Sequence, residues 1–382
     1  MTTSVLVVGA GLAGLTATLA LQRAGFSVEV LEQAPELSEV GAGISIAPNA
    51  AKVLRALAVP LDSVSSKPEN GQVRSGASGE LLNTTSFGEA VRTRYGDYYH
   101  QLHRADLLDL LLAQVDQEAI HTGKRLTDIR EADAGAVARC EDGSEYRADA
   151  VLAADGLRSV VRPYVAGPDK ARFTGYVAWR ALVPMDRLPA HFAEPRSRIW
   201  VGPQRNMACY PIRGEGLLNV ALFAGDSEWT QEGWRDRADP SEVRAAFSTY
   251  QGDARTVVEA IPGDQLFKWA LFDREPITRW ARGAVALLGD AAHPMLPFLG
   301  QGASMALEDA AVLAAALTEQ TSVADAYEQY AKARVERANW VLLDSRRAGE
   351  RFANEKPSPD NFRGDRAMQA DRLFSWEPPA LV

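Results

Sequence analysis

Val5-Leu-Val-Val-Gly-Ala-Gly-Leu-Ala-Gly14 joins an apolar run to a glycine-spaced turn and an Ala/Leu-rich segment. Ser4–Val8 is continuously apolar, as a parallel strand covered on both faces must be. Residues 12–24 read as a helix stopped by Gly25, and Ser27–Leu31 as a second strand. Together they predict a right-handed βαβ start. Gly9, Gly11 and Gly14 fit GxGxxG at the strand-to-helix corner. Gly9 permits the tight turn, Gly11 leaves room for a pyrophosphate, and Gly14 lets the helix pack closely on the strand. The helix N-terminus adds partial positive charge. Glu32 ends the second strand, 18 positions after Gly14. A carboxylate there accepts ribose hydroxyls and repels a 2′-phosphate, so FAD or NAD is expected over NADP.

Outward from this unit, 104–115 has the pattern of an amphipathic helix, and 148–154 that of a buried strand ending at Asp155-Gly156. Between about 173 and 272 the texture changes. Short runs rich in Val, Tyr, Trp and Phe (175–183, 198–201, 206–212, 217–223) alternate with turn residues, and Gly214-Glu-Gly216 suggests a hairpin. This predicts an antiparallel sheet inserted into the nucleotide-binding domain. Residues 284–288 return to a buried-strand texture, and 302–352 are largely helical. His293 has no metal partners and can equally be a structural histidine. The Ala/Leu-rich segment 303–317 carries Glu308 and Asp309 and is expected to be a core helix.

The composition is that of a soluble globular protein: 382 residues, 46% hydrophobic and 24% charged. A net charge of −9 argues against nucleic acid as a partner. Cys140 and Cys209 form no CxxC or metal-like cluster, so no metal site is expected and a reducing, cytoplasmic compartment is the simplest reading. No apolar run is long enough for an integral membrane segment. Oligomeric state is not legible; a homodimer stays open.

Three motifs in order, Gly9–Gly14, Ala154-Asp155-Gly156-Leu-Arg158-Ser159 and Gly289-Asp290-Ala-Ala-His293-Pro294, resemble the group A FAD-dependent aromatic hydroxylases, the para-hydroxybenzoate hydroxylase superfamily. Gly41-Ala-Gly-Ile-Ser-Ile-Ala-Pro-Asn49, Gly123-Lys-Arg-Leu126 and the run from Asp290 to Asp309 are similar to its salicylate hydroxylase and 6-hydroxynicotinate 3-monooxygenase branch. The resemblance implies an α/β fold: a Rossmann-like FAD-binding domain, an inserted antiparallel-sheet substrate domain and C-terminal helices. The expected division is 1–72, 100–172 and 276–352 for the FAD-binding parts and C-terminal helices. Residues 73–99 and 173–275 are assigned to the substrate domain, and 353–382 to a polar tail.

The resemblance further implies that Glu32 holds the adenosine ribose, that Arg104 reaches the pyrophosphate and ribityl region, and that Asp155 serves both FAD and the reduced nicotinamide. Asp290 would bind the ribityl hydroxyls, with Ala13, Gln33, Leu126 and Pro294 completing the cofactor's surroundings. Gly302 and Ala303 would set backbone amides against the flavin ring. Independently, a helix beginning at Gly302 has unpaired first amides and a positive end that favours reduced, anionic flavin.

The implied reaction consumes NADH or NADPH and O2 and hydroxylates a small phenolic or hydroxypyridine-type aromatic through a flavin C4a-hydroperoxide. The rival is an FAD-dependent oxidoreductase without oxygen insertion. The pyridine-hydroxylating relatives carry His at the positions of Ser45, Asn206 and Phe298, which leaves this chain's substrate open. Asn206, Ala208, Tyr210 and Ile212 alternate along one strand face and form a candidate pocket wall. Tyr210, with Asn206 or Ser45, is the expected handle for the substrate hydroxyl. Pro297 and Phe298 could form an apolar end. Trp179, Arg180 and Trp200 read more readily as core or surface.

Overall fold

The structure is a computed structural model that describes residues 3–37, 43–212, 216–225, 236–352, 358–359 and 366–381. Its first sheet has six strands. In spatial order they are β18 (Ala281–Arg282), β19 (Val285–Leu287), β11 (Ala150–Ala153), β1 (Ser4–Val8), β2 (Ser27–Leu31) and β7 (Ile120–His121). All neighbours are parallel except β18 and β19. The helix Leu12–Arg23 follows β1 as expected, and Gly25 closes it at φ 86°. The expected single strand over 148–154 is two elements. Ala148 ends β10 (Glu145–Ala148), which pairs with β9 (Ala136–Cys140) and then β8 (Leu126–Glu131) in a separate antiparallel sheet, and the chain turns at Asp149 into β11. The predicted helix at 104–115 ends at Leu112.

The second large sheet has eight strands. Their order is β16 (Asp236–Arg237), β17 (Leu266–Asp273), β12 (Arg172–Pro184), β15 (Leu217–Gly225), β14 (Arg205–Ile212), β13 (Arg196–Gly202), β4 (Asn70–Ser75) and β5 (Leu81–Ser86). It is antiparallel except where β13 meets β4. Strand β4 starts three residues before the expected boundary at 73. Gly214 and Glu215 lie outside the described residues, but β14 and β15 pair as a hairpin would, with Ile212 opposite Leu217. One face of this sheet buries Trp179, Trp200, Met207 and Cys209 against Val243, Phe247, Val257 and Val258 of two short helices. The other face turns toward the first sheet. A two-stranded ribbon, β3 (Gly43–Ile46) with β6 (His100–His103), meets the eight-stranded sheet where Gly43 N donates to Asn219 Oδ1.

The C-terminal region is two helices, Gly302–Glu319 and Val323–Phe352. The polar tail is not wholly loose: residues 366–374 form a helix whose Leu373 and Phe374 are buried, and Arg337 donates to the carbonyls of Arg372 and Leu373. Among the described residues no helix is long and apolar enough to cross a membrane.

Charges tie the late helices to the core. Arg334 is fully buried, donating from Nε to Asp309 Oδ1 at 2.7 Å and from Nη1 to Glu308 Oε2. His293 Nε2 bonds the other oxygen of Asp309, so this histidine is structural. Removing one member of such a group strands the rest without solvent, at about 3–5 kcal/mol. Arg334→Leu should therefore lose about that much stability in denaturant unfolding; an unchanged midpoint would show that the buried carboxylates find other partners.

Candidate active site

The opening glycines divide their work. Gly9 has φ +102°, and a Cβ there would lie 2.5 Å from the Ala154 carbonyl oxygen; one on Gly14 would lie 1.9 Å from the Gly9 oxygen. Both positions serve the protein's own packing. A Cβ on Gly11 would meet nothing nearer than Arg104 Nη2 at 4.0 Å. Gly11 thus keeps open a space that one guanidinium borders. Burial, followed by repulsion from Arg180, lowers the Arg104 pKa to about 10, with Asp290 pulling the other way. Arg104 therefore feels both Arg180 and Asp290 electrostatically.

Glu32 accepts from the amides of Ala10 (2.9 Å) and Ala34 (2.8 Å), one on each oxygen. Each oxygen keeps a further lone pair for a ribose hydroxyl. Gln33 beside it is exposed. The Lys124 amide donates to the Glu32 carbonyl, which brings 123–126 alongside, while the Leu126 side chain is in the core.

Asp155 ends the β11 segment. Its Oδ2 accepts from Val160 N (2.8 Å) and Val161 N (3.3 Å), whereas Oδ1 is buried without a partner. Asp290 is the single exposed residue in 285–294. Burial by the surrounding protein nevertheless pushes its carboxyl up, against His293 and Arg104, so it faces a cleft and not the bulk solvent. Gly289, at φ +59°, lets this loop sit against Ala13 and Ala306, whose Cβ atoms would be 3.1 and 3.2 Å from an added Cβ. Pro294 is buried just beyond. Gly302 and Ala303 form the first turn of an 18-residue helix with no side-chain cap, leaving amides to a ligand. The gap over Gly11, the unpaired Asp155 oxygen, the enclosed Asp290 and the uncapped helix fit FAD. The gap over Gly11 would take its diphosphate, Asp290 its ribityl arm and the uncapped helix its ring, with Asp155 bordering the same cleft.

A candidate substrate wall is the inner face of the eight-stranded sheet. Alternation along β14 sends Met207 and Cys209 outward and Asn206, Ala208 and Tyr210 inward. Register adds Asn219, Ala221 and Phe223 from β15 and Ala178 and Arg180 from β12. Asn219 Oδ1 accepts from Gly43 N at 2.8 Å, and a Cβ on Gly43 would fall 2.4 Å from Asn219 Cγ. That close approach docks β3 and brings Ser45 to the Tyr210 and Tyr99 hydroxyls. Burial raises both phenols, and hydrogen bonding with Ser45 only partly offsets this. Tyr210 is consequently protonated at neutral pH, which suits it to donate a hydrogen bond and not to serve as a base.

Tyr210 and Ser45 meet. Asn206 is buried on the same wall, four residues along or about 13 Å at ~3.3 Å per residue. It pairs with Phe223, whose ring meets Phe298 at 5.4 Å; Phe298 also meets Tyr176 at 6.1 Å. Asn206 therefore belongs to the apolar end of the wall and Tyr210 to the polar end. Trp179 and Trp200 are outer-face core, as their bland reading had it. Tyr99, Tyr176 and Phe223 were missed, although the alternation Tyr176, Ala178, Arg180 signals a shared face. Gly41 and Ala42 lie outside the described residues. No group of three or more His, Cys, Asp or Glu among the described residues could hold a metal.

Residues 2–344 match the model of the FAD binding domain family. The chain is 36% identical over 376 residues to the 3-amino-4-hydroxybenzoate 2-monooxygenase PtmB3 of Streptomyces platensis, covering 97% of this chain and 94% of that protein. It is 34% identical to the 6-hydroxynicotinate 3-monooxygenase of Bordetella bronchiseptica, covering 92% of each. Among solved structures, Klebsiella pneumoniae HpxO complexed with FAD and uric acid superposes with a TM-score of 0.88 at 26% identity, covering 98% of this chain and 97% of that one. The chain belongs to the FAD binding domain family, in the branch of the aromatic hydroxylases, and FAD is its cofactor.

Proposed function

We propose that the protein is a single-component FAD-dependent monooxygenase that hydroxylates a small phenolic or hydroxypyridine-type aromatic, consuming NAD(P)H and O2. The observation that carries this reading is the protonated Tyr210–Ser45–Tyr99 cluster on a wall that faces the flavin cleft. Bound FAD supplies electron transfer from the nicotinamide and activation of oxygen. Arg104, Glu32, Asp155, Asp290 and the Gly302 helix would hold it.

The chain's own task is to prepare the ring. Tyr210 donates to the substrate's ring oxygen and favours its phenolate form, which makes the adjacent ring carbons electron-rich. Ser45 links Tyr210 to Tyr99 and fixes the direction of that hydrogen bond. Phe223, Phe298 and Tyr176 keep water from the apolar end, which protects oxygen transfer from wasteful release as peroxide. We assign the parts of the chain at 70–99 and 173–275 to substrate and the remainder up to 352 to the cofactor, the first boundary moved from 73 to the start of β4. Both cysteines are free and buried, in keeping with a cytoplasmic enzyme.

Isotopic labelling tests the reaction: one atom from labelled O2 should appear in the product, and its absence with continued NAD(P)H oxidation would favour an oxidoreductase that inserts no oxygen. Tyr210→Phe removes a hydrogen bond to a charged oxygen, equivalent to about 10- to 100-fold in hydroxylation rate. It should release more peroxide at unchanged FAD content; unchanged coupling would take Tyr210 out of the mechanism. Asp290→Ala should purify without flavin, and a fully yellow variant would mean the ribityl arm lies elsewhere.

A further inference from the structure

Gly349 sits near the end of the helix Val323–Phe352 and is buried. Its backbone is ordinary helix, without the positive φ that calls for glycine. Glycine is also a poorer helix residue than alanine. Space explains its presence instead. A Cβ on Gly349 would lie 2.6 Å from Phe298 Cε2 and 2.7 Å from Cδ2. Carbon atoms rest at about 3.5–4.0 Å, so a methyl there and the ring as it stands would overlap by roughly 1 Å.

Neither backbone is free to retreat and make that room. One turn earlier, Ser345 Oγ donates to the Leu296 carbonyl at 2.5 Å, which fastens the helix to the start of the turn Pro297–Leu299. Arg346 donates from Nε to Asp273 Oδ2 at 2.6 Å and from Nη2 to the Arg274 carbonyl at 2.7 Å, which fastens the same helix to the end of β17. The Phe298 ring is therefore the part that would move. Its other apolar neighbours, Phe223, Tyr176, Val73 and Val201 among them, belong to the eight-stranded sheet. The missing side chain on the helix thus sets how far Phe298 stands back from that wall. Tyr210 and Asn206 are about 13 Å apart along β14, at ~3.3 Å per residue, which is longer than one phenol ring. The apolar end has length to spare beyond a ring whose hydroxyl meets Tyr210.

Building on the hydroxylase reading above, we infer that Gly349 is a positioning residue for substrate specificity. By holding no side chain behind Phe298, it leaves the apolar end room for an alkyl substituent across the ring from the substrate hydroxyl.

The test is equilibrium binding to the FAD-loaded protein, by calorimetry, of phenol and its 4-methyl, 4-ethyl and 4-propyl derivatives. In the wild type each added carbon should tighten binding about 4-fold. In G349A phenol should bind as before, but the gain should stop one or two carbons sooner, which weakens the propyl compound about 4- to 16-fold against wild type. G349A/F298L, in which a smaller side chain makes way for the methyl, should recover that loss at unchanged FAD content. If G349A alone does not fold, the double variant decides: a folded protein with the wild-type dependence on chain length supports the inference, and a second failure to fold overturns it. The inference is equally overturned if the wild type gains nothing along the series, if G349A weakens every member alike, or if F298L does not restore the longer ones. Oxygen labelling separates it from the reading it rests on. Size-limited binding with no labelled oxygen in any product keeps the role of Gly349 and removes the monooxygenase; labelled product from a G349A protein that binds the series as wild type does the reverse.

Discussion

Everything near the flavin cleft leans on Asp309. This fully buried carboxylate accepts from the Gly289 amide at 3.1 Å, from His293 and from Arg334. One residue earlier, Glu308 accepts from Asn49 Nδ2 at 2.6 Å, from Arg334 and from Arg337. Two adjacent acids on one helix thus fasten the loop after β19, the helix Val323–Phe352 and the helix Pro48–Ala56. Burial pushes the Asp309 carboxyl up, but His293 and Arg334 hold it below its ordinary value. Charges this deep persist only where every partner is supplied. The result is a loop so well held that Asp290 alone of its residues is left to face the cleft.

The same constraint explains how two motifs some 280 residues apart make one site. Strands β19, β11 and β1 are neighbours and parallel, so their C-terminal ends coincide. Gly9 follows β1, Asp155 closely follows β11 and Gly289-Asp290 follow β19. Ligands of open parallel sheets bind outside those ends. Sequence distance is erased by strand order, and three short stretches come to border a single cleft.

Legibility followed the range of the interactions involved. The glycine turn, its helix and Glu32 are local features with local causes, and they were readable. Alternation along β14 was readable too, because period two needs no knowledge of the partner strand. What required non-local register was not readable. Trp179 and Trp200 read as core or surface and are core, but that Arg180, between them in the chain, looks toward Tyr210 depends on which face of the sheet the rest of the chain covers. Tyr99 reaches the site only because Gly43 lets Asn219 grip the ribbon it flanks. His293 looked ambiguous because its partner, Asp309, is sixteen residues away on a helix with no visible reason to turn its acid inward. The split of 148–154 at Asp149 is tertiary as well: Asp149 accepts from Ser4, at the far end of the chain.

The interior and the surface carry opposite electrostatic instructions. The chain as a whole has a net charge of −9, yet its enclosed substrate wall presents Arg180, the hydroxyls of Tyr210, Ser45 and Tyr99, and, toward the cofactor, Arg104 and a helix N-terminus. An anionic aromatic approaching from solvent gains nothing at long range from an acidic protein, and beyond ~8 Å its field is screened at physiological salt. Recognition must therefore take place after entry, where water is excluded and each donor counts for more. The arrangement favours charge that appears late: on the ring oxygen as it ionises and on the flavin as it is reduced. A wall of donors suits these states, and the carboxylates near the cleft, Asp155 and Asp290, lie on the cofactor side. A ring oxygen that ionised against this wall would meet neutral phenols as hydrogen-bond donors, with the Arg180 guanidinium close to Tyr210.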